Sequence, residues 1–134
     1  MIMNRSMPPS SVITPELPYP DVREAVDWLR RSFGFVERLR IGDHRAQLLF
    51  GQGSVIVTGQ GGHPGASSVL VRVDDVDNHY EHAKQVGARI LSPPADYPYG
   101  ERQYTVEDLA GHRWTFSQTI ADIDPKTGGG TLFE

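Results

Sequence analysis

"DVREAVDWLRRSFGF", residues 21–35, decides how the rest of the chain is read. Val22, Ala25, Val26, Leu29 and Phe33 recur at helical spacing, so one face of this segment is apolar. Asp21 stands where an N-cap belongs, Glu24 follows three residues on as the partner of a capping box, and Gly34 supplies the stop. A second helix opens 54 positions later at Asp75, with Val76, Tyr80 and Ala83 on one face and Gly87 at its end. That offset lays Asp21 on Asp75, Val22 on Val76, Val26 on Tyr80 and Leu29 on Ala83.

Short strands surround both helices. "VITPELPYP" (12–20) is extended and punctuated by proline, which suits a sheet edge. "VERLRI" (36–41), "RAQLLF" (45–50) and "SVIVTG" (54–59) follow the first helix, with "GQG" (51–53) as a hairpin turn. The Gly/Pro linker "QGGHPGAS" (60–67) then leads to "SVLVRV" (68–73), the second helix, "ARILSP", and a final hairpin of "RQYTVED" and "HRWTFSQ" across "LAG". An offset of 58 places Gly53 on Gly111 and "SVIVT" over "HRWTF". Each half is therefore expected to be a β-α-β-β-β unit, an internal repeat of about fifty residues. A helix covers only one face of so small a sheet, so the halves are expected to pack side by side and leave the other face as a shared concave surface. Residues 1–11 are expected to be a flexible arm, residues 12–118 one domain (modules 12–60 and 67–118), and residues 119–134 a turn-rich tail.

Bulk properties narrow the class. The chain has 134 residues, 38% hydrophobic and 22% charged, as in a globular protein of one domain. A formal charge of −4 argues against nucleic acid as the partner, because phosphate binding needs a basic face. No stretch approaches the roughly 20 apolar residues of a membrane span, and the N-terminus has no apolar core of a secretory signal. With no cysteine there is no thiolate nucleophile, disulfide or Cys-type zinc site. A soluble, cytoplasmic protein is the resulting expectation.

The repeat, the helix "DVREAVDWLRRSFGF" and the D-x-x-G turn before the last strand resemble the vicinal oxygen chelate superfamily. This is the group of glyoxalases, bleomycin resistance proteins and extradiol dioxygenases. The likeness runs over residues 12 to 118, and "WTFSQ" is similar to the ending of an uncharacterised glyoxalase-like branch. It implies an α+β fold of two βαβββ modules whose mixed sheets form a cup, usually in a homodimer. Catalytic members hold a divalent metal in the cup through the first and last strand of each module. The corresponding positions are Thr14, Val57, Ser68 and Thr115. A divalent cation wants imidazole, carboxylate or thiolate donors, so the cup is expected to be metal-free.

Strand parity gives the expected lining. Thr14, Glu16, Ser68, Arg72, Arg113 and Thr115 face the cup, joined by Gln47 and Val57 from neighbouring strands. Tyr104 is a candidate general acid or ligand hydrogen bond, though it reads more simply as a strand tyrosine. Such a lining suits a small polar or anionic organic molecule held by arginine forks. In "EDLAGHRWTF" (107–116), Asp108 and Gly111 shape a hairpin, Trp114 and Phe116 enter the core, and Glu107, His112 and Arg113 lie near the rim. His79 is expected on the flank of the second helix, His82 in solvent, and His44 and His63 in loops. Binding or sequestration of a small molecule is the leading function. The alternatives are a metal-dependent lyase, isomerase or dioxygenase using His44, Gln47 or Glu16 from new positions, and a metal-free enzyme using Glu16 or Tyr104.

Overall fold

A computed structural model describes residues 2–60, 63 and 65–133. Of the linker, Gly61, Gly62 and Pro64 lie outside the described residues. The chain divides into two compact units, one of residues 1–67 with 108–112 and one of residues 68–107 with 113–134. Each contains a β-α-β-β-β run, as the repeat requires.

The first unit comprises β1 (Glu16–Pro18), α1 (Val22–Phe33), β2 (Val36–Ile41), β3 (Arg45–Phe50) and β4 (Gly53–Thr58). Its sheet runs β1-β4-β3-β2, with β1 parallel to β4 and the other pairs antiparallel. The Asp21 carboxylate accepts the Glu24 N–H at 3.1 Å, and Gly34 closes the helix at φ +86°. All five apolar residues expected on the helix face are buried. Leu17, Ala46, Leu48, Val55 and Val57 form the matching sheet face, each at most 4% exposed. The opposite face carries Glu16, Gln47, Ile56, Arg45 and Thr58, because register pairs Glu16 with Ile56 and Ile56 with Gln47.

The second unit repeats this with β5 (Ser68–Arg72), α2 (Val76–Gln85), β6 (Arg89–Tyr97), β7 (Glu101–Glu107) and β8 (Arg113–Thr119), in the order β5-β8-β7-β6. Asp75 caps α2 through the Asn78 N–H at 3.1 Å. Strand β6 runs beyond the expected "ARILSP" and accommodates Pro93 and Pro94 through irregular register, which an edge strand tolerates. Trp114, Phe116, Tyr104 and Val106 are buried on the helix side, while Ser68, Leu70, Arg72, Arg113 and Thr115 point the other way. A short 3-10 turn at Pro125–Gly128 gives the tail its local order. No helix among the described residues is long and apolar enough to cross a membrane.

Two further details, of register and of helix face, differ from the sequence reading. Equivalent β4 and β8 positions are 59 apart, since Ile56 pairs with Glu16 as Thr115 pairs with Leu70. Val57 therefore belongs to the helix-side core, and its place on the other face is taken by Ile56. His79 also lies against the sheet, its ring 4.0 Å from that of Phe116, because positions 76, 79, 80 and 83 share the inner face of α2.

Candidate functional site

Thr14, Glu16 and Gln47 come together on the face of the first sheet turned away from α1. The Thr14 hydroxyl lies 3.3 Å from that of Ser54, and Glu16 forms a 2.9 Å ion pair with Arg45. Glu16, Arg45 and Thr58, with His63 and Ser67 from the following segment, border an open groove of about 530 Å³. The ion pair is half-exposed, so it is readily opened by a competing charge. One end of this face thus offers both signs of charge beside hydroxyl groups.

Gln47 organises the other end. Its side chain is 4% exposed and meets Arg38, whose Nη1 donates to Gln47 Oε1 at 2.7 Å. A guanidinium only donates, so this bond fixes the amide orientation and turns Nε2 outward as a donor. Arg38 was not visible as a site residue from the sequence. Strands β2 and β3 slip register between Glu37 and Leu39, which leaves Arg38 as the extra residue of a bulge and re-aims its side chain. No periodicity announces such a bulge.

The second unit places Ser68, Arg72, Arg113 and Thr115 on the sheet face turned away from α2, around the exposed Leu70. A hydrogen-bonded row crosses this face. Thr105 and Thr115 hydroxyls lie 3.1 Å apart, Gln103 Nε2 donates to Ser117 Oγ at 3.0 Å, and Ser117 Oγ donates to Glu101 at 2.6 Å. The Ser117 and Thr119 hydrogen bonds, with the nearby Arg72 charge, hold the Glu101 carboxyl below the usual carboxylate range.

Tyr104 is not on that face. It is 1% exposed beneath α2, where its hydroxyl meets His79 Nδ1 at 2.5 Å, and burial pushes its phenol well above the ordinary range. It is the strand tyrosine of the simpler reading, and with Val57 it leaves the candidate lining. His112 likewise leaves the rim, being fully buried in the first unit. Its Nε2 donates to the Pro18 carbonyl at 2.7 Å and its Nδ1 accepts the Ser67 N–H at 3.2 Å. Asp108 shapes the turn as expected, accepting the Ala110 and His112 N–H groups, and it also takes the Tyr19 hydroxyl at 2.6 Å. Asp108 and His112 together form a buried clamp.

The donor set can be tested against a divalent metal. In register, the four positions implied by the family pattern hold Thr14, Ile56, Ser68 and Thr115. Neither the Thr14 hydroxyl and Ile56 side chain of the first unit nor the Ser68 and Thr115 hydroxyls of the second fit such an ion, since they leave its desolvation uncompensated. His44 and Glu16 do not join Gln47 in a replacement set: His44 sits in an exposed turn and Glu16 is paired with Arg45. No cluster of three or more His, Asp or Glu side chains suited to a metal occurs among the described residues.

Comparison with known proteins agrees with this architecture. A sequence model of the Glyoxalase/Bleomycin resistance protein/Dioxygenase superfamily matches residues 12–116. The structure is similar to that of TioX from Micromonospora sp. ML1, with a TM-score of 0.71 and 40% identity over 85% of this chain and 100% of that one. TnmS3, an antibiotic binding protein from Streptomyces sp. CB03234, shares the fold at a TM-score of 0.70, with 23% identity over 81% of this chain and 98% of its own. So does lactoylglutathione lyase from Agrobacterium tumefaciens, at 0.69 and 17% identity over 83% and 95% of the two chains.

Proposed function

The chain belongs to the glyoxalase/bleomycin resistance protein/dioxygenase superfamily, and from that premise we propose that it binds and sequesters a small organic molecule without a metal. The observation that carries this reading is the face of the first sheet turned away from α1, where Glu16 and Arg45 border an open groove and the Gln47–Arg38 pair adds further hydrogen-bonding groups. These groups suit recognition more than turnover. The buried Tyr104 phenol, the candidate acid, is held far above the range of a working acid. The fold itself serves both uses, since TnmS3 is an antibiotic binding protein and the Agrobacterium relative is a lyase. The likeness to TnmS3 therefore makes antibiotic-like compounds the natural first ligands to try, with resistance as the resulting role.

Thermal denaturation across a panel of antibiotics and metabolites tests the proposal. A ligand that binds only the folded state raises the melting temperature, by about 2.7 kcal/mol of stability at a hundredfold excess over Kd. At least one carbonyl-rich or zwitterionic compound is expected to do so. Conversion of methylglyoxal–glutathione adduct by the purified protein would instead support the lyase reading.

A further inference from the structure

The beginning of the chain does not trail into solvent. Met7 N–H closes a turn onto the Asn4 carbonyl at 3.1 Å, Pro8 is buried, and the Ser11 hydroxyl donates to the Gln52 carbonyl at 3.0 Å. Between these points two successive main-chain carbonyls dock on the first sheet. Arg38 Nη2 donates to the Arg5 carbonyl at 2.8 Å, and Gln47 Nε2 donates to the Ser6 carbonyl at 2.6 Å. The expected flexible arm is thus tied at its middle to the face argued above to bind ligand.

Two features make this contact informative about a ligand. Arg38 and Gln47 are locked together, so their outward groups are both donors and select acceptors. They also hold the arm by main-chain oxygens alone, without using the Arg5 or Ser6 side chains. Any molecule with two carbonyl oxygens at peptide spacing satisfies the same pair. The arm itself is lightly held, since Arg5, Ser6 and Met7 all remain exposed. An occupant fixed by a few polar contacts and little apolar burial is one a better ligand can displace.

We propose that Arg38 and Gln47 form a carbonyl-binding fork for amide-bearing small molecules, and that residues 5–6 of the arm occupy it until such a ligand enters. This rests on the reading of this face as a binding surface and names the chemistry it takes. The arm then acts as a tethered competitor, present at an effective concentration on the order of millimolar. Ligands without paired carbonyls do not displace it, which gives selectivity.

Tryptic cleavage of the full-length protein tests the fork directly, because the Arg5–Ser6 bond contains one of the two bound carbonyls. The Lys126–Thr127 bond serves as the internal reference for protease activity. Arg38→Met, at a half-exposed position that leaves the core intact, is expected to raise Arg5 cleavage about tenfold, and Gln47→Leu similarly. N-acetyl-glycyl-glycinamide, at tens of millimolar to outcompete the tether, is expected to raise the wild-type rate toward that of the variants and leave theirs unchanged. Equal rates in wild type and Arg38→Met, or a wild-type rate indifferent to the diamide, overturns the proposal. Sodium acetate that matches the diamide also overturns it, in favour of a simple anion site. If panel ligands stabilise Arg38→Met as much as wild type, small-molecule binding stands and the fork fails. If the diamide frees the arm while no panel compound raises the melting temperature, the fork stands and sequestration fails.

Discussion

Tyr19 and Asp108 show how one buried oxygen can matter more than a row of surface charges. Burial, then the Asp108 charge and its hydrogen bond, keep the Tyr19 phenol protonated, so it donates to the carboxylate at 2.6 Å. The other Asp108 oxygen is occupied by two backbone N–H groups. Tyr19→Phe keeps the ring and its edge-on contact with His112, but strips one donor from a buried charge. A loss of about 1 to 3 kcal/mol is expected in urea unfolding. His112→Phe leaves both the Pro18 carbonyl and the Ser67 N–H without their partner, so its cost should be larger, about 2 to 4 kcal/mol. A His112→Phe protein as stable as wild type would remove the clamp from the account. This clamp was not legible beforehand. His112 follows a turn glycine, where polarity suggests exposure, and its partners Pro18 and Ser67 lie far away in sequence.

At the scale of elements, both helices were legible because each carries its own punctuation. Asp75 accepts one N–H of α2, a helix with only Val76 and Ala83 fully buried, so α2 leans on its cap more than α1 does. Asp75→Ala is expected to cost about 1 kcal/mol, visible as a lowered melting temperature. Gly34→Ala isolates backbone strain, since its φ is +86° and an added Cβ meets nothing within 4 Å. A cost of about 1 kcal/mol is again expected, and a neutral outcome would mean that the helix end can reorganise. Strand register was less legible. The hairpin between β3 and β4 turns tightly, pairing Phe50 with Gly53, whereas that between β7 and β8 needs the Asp108–His112 turn. Aligning the two on glycine slipped the register by one residue and moved Val57 to the wrong face, as a period of two demands. Thr14, Glu16, Ser68, Arg72, Arg113 and Thr115 kept their faces because they were read from parity within a single strand. The arm on Arg38 and Gln47 had no signal at all, since main-chain carbonyls leave no trace in residue identity.

For the whole molecule, donor chemistry makes the sharpest prediction. The chain has no cysteine and five histidines. His112 spends both ring nitrogens in the clamp, and His79 turns Nδ1 to the Tyr104 hydroxyl beneath α2. His44 and His63 lie exposed in separate turns, and His82 is on the exposed side of α2. Three carboxylates of the sheets are similarly committed, Glu16 to Arg45, Glu37 to Arg40 and Glu101 to Ser117. A homodimer would bring more copies of these same groups and no new kind of donor. Light scattering at twice the 14.9 kDa chain mass would establish that assembly, and a monomer at micromolar concentration would reject it. In either state, zinc, nickel or manganese at tenfold excess is expected to leave the melting temperature unchanged. A metal bound at a hundred times its Kd would instead add about 2.7 kcal/mol, a rise of several degrees for a domain of this size. Such a rise, with one equivalent of metal retained after gel filtration, would overturn the metal-free reading. It would return Thr14, Ile56, Ser68 and Thr115 to the question of which neighbours supply the missing donors.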